Sequence, residues 1–169
     1  MTDAVSASPT ASPTAPQSAP MPNADAPEAV PGSLFETMGY QARPVYEGGR
    51  AVVEYLAGPH MCHSGGIVQG GFVTGWIDQA MAMALMSLVG AEQTPISLEI
   101  KISFFAPARP GLVIAEGRVE RAGRSTCFVE GELRDPQGQV LAKGTSTVRL
   151  IPREKAEAAS RAALEAAKG

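Results

Sequence analysis

Residues 70–89 read GGFVTGWIDQAMAMALMSLV, and the fold turns on how this stretch can be buried. Twenty residues are too many for an ordinary strand. Phe72, Val73, Trp76, Ile77, Ala80, Met81, Ala84, Leu85 and Leu88 recur at helical spacing. Met83, Met86 and Val89 fill much of the remaining circumference, so the spacing predicts a long helix buried nearly all round. Its length would also suit a membrane span. Asp78 argues against that, because a carboxylate at mid-span costs roughly 2.5–3.5 kcal/mol even on a lenient insertion scale.

The chain downstream is patterned as a sheet. Leu98, Ile100, Ile102 and Phe104 alternate with Ser97, Glu99, Lys101 and Ser103, which predicts a strand with one buried face. Pro107 and Pro110-Gly111 end it. Three further strands are expected over 112–120, 125–134 and 139–150. Their turns are Arg121 to Arg124 and Asp135 to Gly138, the latter with a type I signature. Upstream, 40–46 and 50–57 read as a hairpin around Gly48-Gly49. Ser33 to Met38 reads as one helical turn, with Ser33 as N-cap, Glu36 completing a capping box and Gly39 as the stop. Strands around one segregated helix mean an α+β fold. A helix apolar on most faces needs a curved sheet wrapped around it, and a dimer partner can shield the rest.

The flanks differ in kind. Residues 1–31 hold half of the chain's 14 prolines among Ala, Ser and Thr, and offer too little to bury to offset their ordering entropy. This segment is read as a disordered tail, 32–152 as the folded domain, and 153–169 as an Ala-rich, charged surface helix. No Lys or Arg precedes Arg43 and no apolar h-region is present, which reads against a secretory or transit signal. Cys62 and Cys127 form no CxxC pair, so a reducing, cytoplasmic setting is expected. A net charge of -3 from 14 basic and 17 acidic residues argues against a general nucleic-acid binder, though not against a few basic residues placed for one anionic ligand. His60, Cys62 and His63 lie too close together for an ordinary tetrahedral zinc set, and no second Cys/His cluster completes one.

Asp78 is the one charged residue between Gly65 and Ala91. No Lys, Arg or His stands within a helical turn of it, and a carboxylate buried among apolar side chains is costly unless bonded. Such groups cluster at active sites; the bland alternative is a carboxylate bonded to a Ser or a backbone amide. Just upstream, Gly70-Gly71 opens the helix, leaving backbone N–H groups approachable where the helix dipole is positive. That suits an oxyanion or a polarised carbonyl.

The runs HSGGIVQGGFVTGWIDQAMAMA (63–84), TPISLEIKISFFAP (94–107), GRVERAGRS (117–125) and AKGTST (142–147) resemble the hotdog-fold thioesterases. The similarity is to the phenylacetate-type (PaaI-like) and 4-hydroxybenzoyl-CoA thioesterase superfamily, and covers residues 33–151. It implies a hotdog fold, with a curved antiparallel sheet around one central helix. It also implies hydrolysis of acyl-CoA to free acid and CoA. Asp78 then matches the catalytic carboxylate, as general base or as nucleophile through a mixed anhydride. Gly70 matches the residue whose N–H polarises the thioester carbonyl, and Ser97 a hydroxyl that positions water. Gln69 falls where many members carry His, and His63 where many carry Asn or Gln. Arg121, Gly123, Arg124 and Ser125 match a CoA-contacting loop, where guanidinium groups suit phosphate; a solvated turn is the alternative. The family's sites lie between subunits, so at least a homodimer is implied, and a tetramer beyond it. No cofactor is implied, since coenzyme A belongs to the substrate. Two other readings stay open: a non-catalytic acyl-CoA-binding hotdog protein, and a hotdog hydratase or dehydratase acting on acyl thioesters.

Overall fold

A computed structural model describes residues 31–167. In it the chain runs α1 (Leu34–Thr37), β1 (Tyr40–Glu47), β2 (Arg50–Ala57), a short 3-10 turn, α2 (Gly70–Val89), β3 (Gln93–Phe104), β4 (Gly111–Ala122), β5 (Thr126–Arg134), β6 (Val140–Pro152) and α3 (Arg153–Ala166). The six strands form one antiparallel sheet in the order β1-β2-β4-β5-β6-β3. This is the α+β hotdog architecture, with α2 lying in the sheet. The tail expected over residues 1–31 lies, but for Pro31, outside the described residues.

Local signals explain the element ends. Ser33 Oγ accepts the Glu36 N–H at 3.2 Å, as an N-cap should, while the Glu36 carboxylate reaches back to the Gly32 N–H rather than to Ser33. Gly48 and Gly49 both take positive φ (56° and 87°), so β1 and β2 join without side-chain strain. Asp135 Oδ1 accepts from the N–H groups of Gln137 and Gln139, which closes the β5–β6 turn.

The helix meets the sheet over a row of glycines. Gly117, Gly131 and Gly144 stand side by side on β4, β5 and β6. A Cβ on Gly117 would overlap the Ala80 carbonyl of α2, and one on Gly131 would lie 2.9 Å from Met81 Cγ. Missing side chains on three strands thus let the helix backbone sit close to the sheet. Trp76, Ile77, Ala80, Ala84 and Leu85 then pack without exposure against Val53, Tyr55, Ala115 and Leu133. The Gly117→Ala variant is expected to lose about 3 kcal/mol of stability, because its obstacle is backbone that cannot turn aside. Gly144→Ala should cost less, since the atom nearest its Cβ is the flexible end of Ile102. Urea unfolding of both variants checks the order.

Two expectations need correction. The helix is not buried all round: eight of its 20 residues are buried, and Gly71, Gly75, Asp78, Ala82 and Met86 form an open or half-buried stripe along one side. Nor does the whole apolar set of β3 reach the core: Ile100 and Ile102 pack against it, and Leu98 and Phe104 stand exposed. β3 is an edge strand, and Leu98 and Phe104 are 60% and 56% exposed. Their alternation is broken by a bulge between Ser97 and Glu99. Although α2 is long and apolar enough to cross a membrane, it is packed into the sheet as the core of the fold.

Candidate active site

Asp78 lies mid-way along α2, on the open stripe, and is half-buried rather than enclosed. Its partner is Ser97, whose hydroxyl donates to Asp78 Oδ1 at 2.9 Å. The bulge makes this contact. A regular strand would turn Ser97 to the face opposite Ile100 and Ile102, which pack against the core. One extra residue at Leu98 restores Ser97 to the helix-facing side.

Gly70 opens α2. Gln69 is the N-cap, and its Oε1 accepts the Gly71 N–H at 2.6 Å. The Gly70 N–H has no acceptor among the described residues and sits at the positive end of a 20-residue helix. It borders a pocket of about 370 Å³ lined by His63, Val73, Phe104 and Leu141, with the Phe104 ring lying over Gly70. His63 Nδ1 accepts the Gly65 N–H at 3.1 Å. With Nδ1 an acceptor, the neutral ring carries its proton on Nε2. Gln69 and His63 thus serve separate turns of the loop before α2 and make no hydrogen bond to each other.

Asp78 and Gly70 are not brought together within the chain. Eight helical residues separate them, about 12 Å of rise. One thioester carbonyl cannot accept from Gly70 and be attacked from Asp78 across that distance. The helix start alone therefore does not assemble the base and the electrophile activator, although both stand on one element.

The loop carrying Arg121, Gly123, Arg124 and Ser125 is exposed. Arg121 still belongs to β4, opposite Phe128, and the turn proper is closed by the Gly123 N–H donating to the Thr126 carbonyl. It lies toward the C-terminal end of α2: Val119 N–H donates to Gly49 O, while Gly49 N–H reaches Ser87 Oγ. This is the end of the helix opposite to Gly70.

Sequence reasoning passed over Gln79. Its Oε1 accepts the hydroxyl of the fully buried Tyr55 at 2.6 Å. Burial, and then the neighbouring Tyr40, push the Tyr55 phenol far above its ordinary range, so it stays protonated. Phe35, Tyr40, Tyr55, Trp76 and Phe72 run in edge, stacked or tilted contact beside it, at 5.3 to 6.3 Å between successive ring centroids. Nothing in the local sequence marks Gln79, because its partner is 24 residues away.

Among known proteins, a family model described as the thioesterase superfamily matches residues 65–142. The "Putative esterase SSO2140" of Saccharolobus solfataricus is 32% identical over 105 residues, 62% of this chain and 74% of that protein. The structure is similar to that of a phenylacetic acid degradation-related protein of Ralstonia eutropha JMP134, described as a "putative thioesterase". The two share 29% identity over 72% of this chain and 92% of the other, with a TM-score of 0.65. It is also similar to smu.793 of Streptococcus mutans UA159, solved bound to acetyl CoA. Here identity is 20% over 67% of this chain and 89% of the other, with a TM-score of 0.62.

Proposed function

The chain belongs to the thioesterase superfamily, a thioester hydrolase family, and from that premise we propose that it hydrolyses acyl-CoA thioesters at a site shared between two subunits. The observation that carries this reading is the place of Asp78 on the open stripe of α2, where Ser97 engages Oδ1 and no ion pair among the described residues neutralises the carboxylate. It presents an ionisable carboxylate, held by one hydroxyl, at a half-open face of the helix. Asp78 either draws a proton from water or attacks the carbonyl carbon itself. In both routes the carbonyl oxygen gains charge, a Gly70 N–H stabilises it, and the CoA thiolate leaves without strong acid assistance.

The about 12 Å between Gly70 and Asp78 requires the two groups to come from different copies. The β3 edge supplies a way. Phe104 lies over Gly70, Ser97 touches Asp78, and Gln93 shares a pocket with Met86, so β3 and α2 run antiparallel side by side. Two-fold pairing of β3 with its copy near mid-strand would carry Gly70 of one subunit toward Asp78 of the other. It would also cover Ile96, Leu98, Phe104 and Phe105, which are 42 to 61% exposed. Arg121 and Arg124 are then free to take the phosphates of CoA. The acetyl-CoA complex of the Streptococcus mutans neighbour supports a CoA thioester as substrate. No cofactor has a step to perform in this chemistry.

The test is release of free thiol from short, medium, long and aryl acyl-CoAs. No turnover across the panel would sink the reading. Ser97→Ala is expected to lower kcat about tenfold, the scale of one lost hydrogen bond to a charged group, with KM little changed. Steady-state kinetics on the best substrate checks it.

A further inference from the structure

The stripe that holds Asp78 is closed in one direction and meets a cavity in the other. Toward the start of α2, Met38 fills the space over Gly75, with its Cε 2.7 Å from where a Cβ would stand. Toward the end of the helix, Ala82 and Met86 are half-buried, and Met86 borders a pocket of about 420 Å³. Gln93 and Thr94 of β3, with Arg153, Glu157 and Ser160 of α3, form its polar lining. Met86 stands eight residues past Asp78, about 12 Å of rise. Gln93 stands four residues before Ser97, about 13 Å of strand. An extended pantetheine arm spans that separation, so a thioester at Asp78 can place the far end of its arm in the pocket.

The lining suits such an arm. Pantetheine carries amides, each with an N–H donor and a carbonyl acceptor, and in CoA its far end is a charged pyrophosphate. The side chains of Gln93, Thr94, Glu157 and Ser160 make no hydrogen bond among the described residues. Gln93, Thr94 and Ser160 can donate to the carbonyls, and Glu157 can accept from an N–H. Arg153 is held at the pocket's edge. Its backbone N–H donates to Glu92 O at 2.9 Å and its Nε to Ala91 O at 2.5 Å. Both Nη groups are left without an acceptor or an ion pair among the described residues. A guanidinium so placed matches a phosphate. The Arg121 to Ser125 loop is a neighbour: Pro95, which also lines the pocket, pairs with Leu150, whose N–H donates to Ser125 O at 3.0 Å.

We propose that this pocket holds the pantetheine arm of CoA and that Arg153 binds the phosphates at the end of that arm. The inference rests on the acyl-CoA reading above. It brings α3 into the site, an element beyond residues 65–142 that match the family.

The experiment measures kcat and KM for one acyl group carried on CoA and on pantetheine, which keeps the arm and lacks the phosphates. It uses the wild type, Arg153→Met, Ala156→Phe and, as a control, Arg161→Met, an exposed position of α3 outside the pocket lining. Arg153→Met is expected to raise KM for the acyl-CoA about tenfold, the scale of a lost hydrogen bond to a charged group. Its kcat should change little, and acyl-pantetheine should be handled as by the wild type. Ala156 is half-buried in the lining, so Phe there narrows the pocket and is expected to raise KM for both thioesters. Arg161→Met should alter neither. An acyl-CoA KM that Arg153→Met leaves unchanged overturns the inference. An equal loss on both thioesters in that variant does so too, because Arg153 then only props α3. The same holds for an Ala156→Phe protein that keeps both KM values, or that sediments as a smaller species than the wild type, since the pocket would then be a subunit contact. Each of these results leaves the thioesterase reading standing. Thiol release from no acyl-CoA in the wider panel overturns both.

Discussion

Replacing Asp78 by Asn is expected to lower thiol release from the best acyl-CoA by about 10²–10⁴-fold, with the unfolding temperature close to that of the wild type. Asn has the size of Asp, and its Oδ1 can still accept the Ser97 hydroxyl. Packing along α2 is therefore kept, and what disappears is the negative charge that takes a proton or attacks. Thermal unfolding beside single-turnover kinetics separates the two. Equal turnover by both proteins would remove Asp78 from the chemistry and leave the acyl-CoA-binding or hydratase readings to be weighed against a different carboxylate. Loss of enoyl-CoA absorbance on hydration would single out the hydratase.

Replacing Gly70 by Pro is expected to lower kcat by about 10²–10³-fold, the usual effect of deleting one oxyanion donor. The change removes an N–H and little else. Gly70 is the first residue of α2, where Pro is well tolerated, and Gln69 before it already has φ -63° and ψ 136°, the extended backbone that a following Pro demands. Gln69 can still cap the Gly71 N–H. The added ring meets the Phe104 ring 3.3 Å from its Cβ, and Phe104 is exposed enough to move. Mixing the two variants then tests the shared site. In a heterodimer of Asp78→Asn with Gly70→Pro, one site carries both lesions and the other neither. Random pairing should restore about a quarter of wild-type activity. If each chain supplied both groups to its own site, the mixture would stay as inactive as its parts.

Much of the fold was legible because it rests on short-range pattern. The period of residues 70–89 gave the helix to the residue, and Gly48-Gly49 and Asp135 to Gly138 gave their turns. Burial was read less well. Leu98 and Phe104 are as apolar as Ile100 and Ile102, yet they stand exposed at an edge. The pattern of a strand reports that a face will be covered, not whether its own chain or a second one covers it. The same difficulty made Asp78 look enclosed when the stripe around it is open.

What the sequence determined by itself was the family and the candidate groups: an isolated carboxylate within an apolar helix, glycines at that helix's start, and the runs that resemble a thioesterase family. Those signals are local, since spacing along one helix is set by its 3.6-residue turn. Only the tertiary structure decided how the groups meet. Ser97 reaches Asp78 through a bulge, Gln79 is oriented by a tyrosine on another strand, and Gly70 stands about 12 Å along the helix from Asp78. Each of these depends on strand register and on the close approach of helix to sheet. No periodicity along the chain encodes either.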